Sequence, residues 1–496
     1  MFVNRVIQFI SSKKVASVLT YCIFLIIILC LGYVFTRGFI IDDEGWILSP
    51  AQRILDGQLP YRDFHFIYTP GLIYIIAIGF KLIGVSFNSA RLITMGFSLL
   101  TVYILYKISN TISNSKSVFA YLIPVLLFVV WGPMHVNFAW PVMYTLWSGI
   151  LTVLLLLISK KNSKLYFIAG VTTGLTILFK QNFGVALLLN NLIFFFFEKN
   201  AQKKKFIVAH IFGICMFPMV MVVYFAFTNT FIPFVNDMYY FMIQQIILQG
   251  NQNTPFIYPG VWYKQIVKTL FYLSPLLVSL YAVWLAFKKN KKIIFLASFT
   301  ALYYMIGIRP TTDYVHLVPL LSIIGVPLLV ILVLNNNKYI KIVSFSFFII
   351  LFILGFYTAL FSNYYRWYTP LIQQNIYTQN PKLGILTDQK THELLAGIDN
   401  YIDKYPVSNN YLFVDSFSPS FYLVTDKRNP TKFIFFSGQI FTKDVQTEMI
   451  QEIKVKNTPL VIANKSIYVN KDLLSKYIIA HYHVEKKIDD YLILVK

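Results

Sequence analysis

Apolar residues along this chain come neither in strict alternation nor in one-sided helical stripes, but in long unbroken runs separated by short polar segments. A helix of about 20 apolar residues crosses a bilayer. Runs near that length fall at residues 15–36, 88–107, 117–132, 143–159, 165–180 and 183–198. Others follow at 206–229, 265–287, 293–308, 317–335 and 342–362. From Asn363 onward no such run occurs and the pattern changes. Tyr411–Ser416, Lys432–Ser437 and Pro459–Asn464 read as strands, and Thr391–Tyr405 and Lys443–Lys454 as amphipathic helices. His481–Lys496 reads as a hairpin turning near Asp489-Asp490.

The polar segments orient the runs. Lys13-Lys14, Lys160-Lys161-Asn162-Ser163-Lys164, Lys203-Lys204-Lys205 and Lys288-Lys289-Asn290-Lys291-Lys292 are the basic loops expected on the cytoplasmic side. One more apolar stretch, Gly71–Gly84, bears on the parity. If it crossed, Lys13-Lys14 and Lys160-Lys161 would lie on opposite sides. At about 14 residues it suits an interfacial or re-entrant helix better than a span. Residues 37–87 then form one external loop, with a second surface helix around Trp46–Leu55. Eleven crossings remain, with the N-terminus cytoplasmic and the C-terminus outside. The first run follows a basic N-terminus and lacks a small-residue cleavage site, so it reads as a retained signal anchor.

Composition supports this division. Of 496 residues, 57% are hydrophobic and only 13% charged, against about a quarter charged in soluble domains. The net charge of +22 is spread over loop lysines, which argues for a lipid bilayer as partner and against nucleic acid. Cys22, Cys30 and Cys215 lie within apolar runs and suggest neither a disulfide framework nor a thiolate metal site. Residues 363–496 hold 13 of the 21 acidic residues and read as a small extracytoplasmic α/β domain behind a membrane domain of residues 1–362. That domain shows no catalytic motif and no internal repeat is visible.

Acidic residues are scarce in the membrane domain. Of the eight before residue 363, five stand in the first loop: Asp42, Asp43, Glu44, Asp56 and Asp63. Only Glu198 falls at the inner face. The triplet Asp42-Asp43-Glu44 fits a general base that takes a proton from an acceptor. It equally fits the capping of the helix that starts near Trp46. Arg309, Asp313 and His316 share one short external turn, where an arginine fork suits a phosphate or merely snorkels at the interface. Lys180-Gln181 also falls at the outer end of two helices, against the basic bias, as an anion contact or a snorkelling lysine. His65 and Tyr68 close the first loop. Asp237 lies in the Tyr- and Gln-rich segment Pro233–Gly260, which reads as a substrate-contacting loop or an aromatic belt. His135 has no evident partner.

The order of motifs is a specific one. After the first apolar helix come the acidic D-E pair, then A-x-R-I-L-x-G-x-x-P-Y-R-D-F from Ala51 and Y-x-P-G from Tyr68. A surface helix ending K-L-I-G follows, and A-R-L-I-T opens the next span. This resembles the glycosyltransferase family 39 group of the GT-C fold, which includes protein O-mannosyltransferases and lipid A aminoarabinose transferases. The likeness covers roughly the first 360 residues and is best over 38–110. It implies two surface helices in the first external loop and an aspartate base in the Asp-Glu pair, matched here by Asp43-Glu44, with Asp42 as an extra candidate. It further implies that Lys180, Arg309 and His316 contact a lipid phosphate. Gln181, Asp313, His65, Tyr68 and Asp237 are candidate substrate contacts.

The expectation is therefore a polytopic α-helical, GT-C-like protein of the cell membrane. It would transfer a sugar from a polyprenyl-phosphate donor to an extracytoplasmic acceptor, with inversion. No residue is assigned to a metal, although a divalent ion is the other common way to meet phosphate charge. The competing readings are a transporter or flippase of a lipid-linked saccharide and an inactive envelope scaffold. Carboxylates in loops rather than at the bilayer midplane disfavour transport.

Overall fold

Backbone groups in hydrocarbon must find partners within their own segment, so apolar runs fold as helices. In the computed structural model, which describes residues 13–113, 118–239, 262–307, 314–363, 368–405, 409–415, 418–434 and 441–496, a helix stands at every one of the eleven runs. They are α1 (Lys13–Phe35), α4 (Phe87–Ser113), α5 (Val118–Trp131), α6 (Pro141–Ile158), α7 (Ser163–Phe179) and α8 (Gln181–Phe197). α9 (Lys203–Phe227), α10 (Trp262–Lys289) and α11 (Ile294–Gly307) follow. The run 317–335 is divided into α12 (Tyr314–Leu321) and α13 (Gly325–Leu334), and α14 spans Lys338–Phe361. Among the described residues, seven spans are long and apolar enough to cross a membrane: α1, α4, α6, α9, α10, the α12–α13 unit and α14. α5, α7, α8 and α11 have only 14, 17, 17 and 14 residues.

Small residues and buried polar pairs hold the helices together, as expected where lipid removes the hydrophobic drive. A Cβ on Gly170 of α7 would lie 2.1 Å from the His210 carbonyl of α9, and one on Gly213 would lie 2.1 Å from the Phe167 carbonyl. The two backbones therefore touch. Asn191 of α8 donates to Thr173 Oγ1 at 3.0 Å and meets His210 Nε2 at 3.1 Å.

The first loop contains the two expected helices, α2 (Asp43–Leu55) and α3 (Gly71–Ile83). α2 starts three residues ahead of the predicted Trp46, because the acidic residues form its cap and first turn. Both ends of the loop meet the C-terminal region. Leu386 N donates to the Thr36 carbonyl at 2.8 Å and Gly38 N to the Leu386 carbonyl at 3.0 Å. Phe87 N donates to the Lys382 carbonyl at 2.8 Å, and His65 N to the Lys432 carbonyl at 2.9 Å. Residues flanking α3 on either side thus contact the same C-terminal unit, so α3 runs alongside the bundle's end instead of through it.

After α14 the chain forms a short hairpin, β1 (Ile376–Tyr377) with β2 (Leu386–Thr387), and α15 (Gln389–Lys404). β3 (Leu412–Val414), α16 (Ser420–Val424), α17 (Lys443–Val455) and β4 (Leu460–Asn464) follow. α18 (Leu473–His481) precedes the terminal hairpin of β5 (His483–Ile488) and β6 (Tyr491–Val495). The sheet order is β3-β4-β6-β5, with β3 parallel to β4 and the remaining pairs antiparallel. Phe413, Val461, Ala463, Leu492 and Leu494 pack on Met449 and Ile453 of α17 and Leu474 and Ile478 of α18. The alternate residues, Leu412, Leu460, Ile462 and Ile493, join the core that includes Leu395 and Ile398 of α15. Helices cover both faces of the sheet, which is why β4 reads as a continuous apolar run.

The strand expected at Lys432–Ser437 is not found at 432–434, and 435–437 lie outside the described residues. Lys432 spends its backbone elsewhere: its N–H donates to Glu452 Oε2 at 3.0 Å and its carbonyl accepts from His65. Within Pro233–Gly260, residues up to 239 are helical and the rest lie outside the described residues. α16, α18 and the β1–β2 hairpin were not anticipated, being short.

Asp415 follows β3 and is buried. Burial, with the nearby Asp472 charge, pushes its carboxyl up to about 7. A folded-state pKa above the unfolded value near 3.9 means the native state holds the extra proton. Stability should be full below pH 4, fall between about pH 4 and 7, and level off above. Three pH units at about 1.4 kcal/mol each set an upper bound of roughly 4 kcal/mol. Hydrogen-exchange protection of β3 and β4 in the full chain, corrected for intrinsic rates, should fall over that window and become flat in Asp415→Asn. An equally steep variant would contradict the assignment.

Candidate active site

The acidic triplet is sorted by its surroundings. Asp42 caps α2: its Oδ1 accepts the Asp43 N–H at 2.9 Å, and the residue is buried. Glu44 is fully buried and bidentate with Arg91, Nε to Oε1 and Nη2 to Oε2 at 2.6 Å each. Burial pushes the Glu44 carboxyl above its usual range, against the pull of Arg91. Arg91 also donates to the carbonyls of Phe35 (3.3 Å), Arg37 (2.9 Å) and Gly38 (2.7 Å), where α1 ends. Asn137 adds Nδ2 contacts of 2.8 Å to the Val34 and Arg37 carbonyls. These bonds clamp the end of α1 to the start of α2 and fix where Asp43 stands. Asp43 alone of the three is partly exposed.

One turn further along α2, Trp46 sits at the centre of an aromatic cluster. Its ring lies 5.1 Å from that of Tyr68 and 5.8 Å from that of Trp140. Lys180 Nζ stands 4.7 Å over the Tyr68 ring and 5.6 Å from that of Phe183. The Trp140 ring is 5.6 Å from that of His316. Five segments distant in sequence are joined through this cluster: the start of α2, the first-loop stretch before α3, the residue before α6, the α7–α8 junction and α12. Lys180 is buried, in an extended conformation (φ −162°, ψ 116°) that breaks α7 from α8. Thr69 Oγ1 donates to the Ile177 carbonyl at 2.7 Å. A Cβ on Gly71 would lie 2.7 Å from the Leu178 carbonyl. The Tyr68–Gly71 segment is thereby held against the Lys180 junction. Beside it, Trp140 Nε1 and Gln181 Oε1 are buried with no hydrogen-bond partner among the described residues, a loss of about 1–3 kcal/mol each unless substrate or solvent supplies one.

The other candidates are placed differently. His65 Nδ1 pairs with Asp237 Oδ2 at 2.9 Å, and Phe66 N donates to the same oxygen at 3.4 Å. This pair fastens the first loop to the helical residues 231–239, and neither group is turned chiefly to solvent. His135 does have partners: the Val130 carbonyl, Thr358 Oγ1 and the stacked Trp131 ring. Arg309 and Asp313 lie outside the described residues. Among the described residues no group of three His, Cys, Asp or Glu side chains is arranged to hold a metal; Asp42 and Glu44 are occupied as cap and ion pair. Arg91, Trp46, Trp140 and Asn137 escaped the sequence reading. Arg91 carried a signal, since an ionisable residue inside an apolar helix is rarely idle. The tryptophans did not, being indistinguishable from an interfacial belt.

Residues 68–225 match the family model described as dolichyl-phosphate-mannose-protein mannosyltransferase. Among solved structures, ArnT from Cupriavidus metallidurans bound to undecaprenyl phosphate superposes with a TM-score of 0.58 at 12% identity, over 97% of this chain and 98% of that one. The same protein in the apo state gives 0.59 at 11% identity, with the same coverage. No curated protein matches the sequence. The family match begins at Tyr68, beyond the acidic triplet, whereas the fold likeness spans nearly the whole chain. The membrane bundle, the helical first loop and the terminal α/β unit together give this chain the fold of ArnT, and residues 68–225 within it are similar to the dolichyl-phosphate-mannose-protein mannosyltransferase family.

Proposed function

We propose that the protein is a membrane glycosyltransferase that moves a sugar from a polyprenyl-phosphate donor to a hydroxyl or amine acceptor outside the cytoplasmic membrane. The observation that supports this reading is the Trp46–Tyr68–Trp140 cluster, which links Lys180 and His316 to the helix α2 that begins at Asp43. Asp43 takes the acceptor proton as the acceptor atom attacks the anomeric carbon. The bond from that carbon to the phosphate oxygen breaks, and the lipid phosphate leaves from the opposite face, so one displacement inverts the centre. The leaving phosphate gains negative charge, which Lys180, Arg309 and His316 offset. Asp42 and Glu44 position the base. Gln181 and the Trp140 indole N–H are further substrate contacts.

The lysine loops at the far ends of α6, α8 and α10 support an extracytoplasmic location for the site and for residues 363–496, with the N-terminus cytoplasmic. The docking of α2 on Ser420, where a Cβ on Gly45 would lie 2.1 Å from Ser420 N, suits a C-terminal domain that shapes access for the acceptor. ArnT was crystallised with undecaprenyl phosphate, which fits a polyprenyl phosphate as the ligand here. A direct test uses that lipid alone. Undecaprenyl phosphate should bind the reconstituted wild type saturably, and Lys180→Ala should weaken binding by about tenfold to a hundredfold, the worth of one or two charge-assisted bonds. Equal affinity in the two proteins would remove Lys180 from the phosphate site.

A further inference from the structure

One cavity lies well away from Asp43. A cavity of about 280 Å³ opens between the C-terminal ends of α6 and α8 and the turn Lys291–Ile293. α8 starts at Gln181, beside Lys180, and ends at Phe197. Its 17 residues at 1.5 Å each separate the two places by about 25 Å, so the cavity lies at the opposite end of the bundle. Lys160, Lys291 and Lys292 line it together with Leu157, Ile193 and Phe197.

The lysines are placed by the backbone. Lys160 stands at φ 45° directly after α6. Asn290 Oδ1 accepts the Lys292 N–H at 3.2 Å and so caps the turn carrying both Lys291 and Lys292. Glu198 also lines the cavity, but one of its oxygens is taken by the Asn200 N–H at 2.9 Å. Three lysines against one carboxylate give the lining a net positive charge beside its apolar residues, with the Lys291 ammonium also 4.6 Å from the Phe287 ring. An orientation bias explains lysines on this face, but not their convergence on one concave apolar site. Lys289, by contrast, is turned away to the Leu334 carbonyl at 2.8 Å, and Lys203-Lys204-Lys205 lines no part of the cavity.

We infer that this cavity binds one phospholipid with a net negative headgroup, its phosphate among Lys160, Lys291 and Lys292 and an acyl chain along Leu157, Ile193 and Phe197. Basic pockets between helices recognise such headgroups. The apolar lining selects a lipid over a soluble phosphate, and the surplus of positive charge selects an anionic over a zwitterionic one. This site is independent of the proposed sugar transfer.

The test is the melting temperature of the detergent-solubilised full chain with graded phosphatidylglycerol, phosphatidylcholine or glycerol phosphate. Phosphatidylglycerol should raise it saturably, and the other two should not. In the triple variant Lys160→Gln, Lys291→Gln, Lys292→Gln the half-saturating concentration should rise by about tenfold or more. The triple variant Lys203→Gln, Lys204→Gln, Lys205→Gln should behave as wild type. Equal loss in both variants, or an equal shift with phosphatidylcholine, would overturn the site. A matching shift with glycerol phosphate would overturn its assignment to a lipid. Should the first variant not fold, a photoactivatable phosphatidylglycerol decides on the wild type. Crosslinks to peptides covering 156–160 and 290–295, competed by phosphatidylglycerol but not phosphatidylcholine, support the site, and crosslinks elsewhere sink it.

Discussion

Replacing Asp43 by Asn is expected to lower turnover by about 10²–10⁴-fold, the range a positioned general base contributes. Affinity for the donor lipid should stay within about threefold of wild type. The substitution keeps the size of the side chain and its place in the first turn of α2, but removes the proposed proton acceptor. A lost base is felt in the transition state, so kcat should fall while KM holds. Asp42→Asn supplies the control within the same triplet. Asp42 uses one oxygen to cap α2, and Asn is as good a cap as Asp, so its loss of activity should stay within about tenfold. The measurement is release of polyprenyl phosphate from a synthetic sugar-phosphate lipid accepted by the wild type. A large loss in Asp42→Asn with a small one in Asp43→Asn would reverse the two roles.

Arg91→Ala is expected to destabilise the protein by about 3–5 kcal/mol, because it leaves the buried Glu44 carboxylate without a counter-charge. Both side chains are fully buried, so water cannot take over. Glu44→Ala strands the guanidinium in the same way and should cost a similar amount. The double variant Glu44→Leu, Arg91→Met should recover much of that, since a buried ion pair is often replaceable by apolar residues of similar volume. Recovery should stop roughly 1–3 kcal/mol short. Arg91 also donates to the carbonyls of Phe35, Arg37 and Gly38, and methionine returns none of those bonds. Chemical denaturation of the solubilised protein, followed by tryptophan emission, reads all three variants. Wild-type stability in Arg91→Ala would show that the clamp between α1 and α2 is not what holds the site.

Much of the architecture was legible in residue order because the governing physics is local. A bilayer compels helix wherever about 20 apolar residues run together, and helices stand at each such run. The shortness of Gly71–Gly84 marked it as non-crossing, and contacts on either side of α3 agree. Amphipathic periodicity in 363–496 located α15, α17 and the terminal hairpin, since alternation and helical spacing are written into adjacent residues. Where the local signal was short or its backbone was claimed by a distant partner, as at Lys432, the expectation failed.

What the amino-acid order determined was thus which segments fold as helix, and that Asp42, Asp43 and Glu44 stand together at a helix start. Their residue types alone did not separate the three carboxylates, and the family resemblance left Asp42 beside Asp43 as a candidate base. Only the tertiary structure separated them: Arg91, 47 residues from Glu44 along the chain, claims that residue, the α2 cap claims an oxygen of Asp42, and Asp43 keeps the exposed face. Likewise Lys180 and His316 are 136 positions apart, and nothing in either neighbourhood names the other. Their shared cluster depends on Trp46, Tyr68 and Trp140 packing across three helix junctions. Side-chain roles of this kind follow from desolvation and distance, which act between residues that are close in space however far apart they stand in the chain.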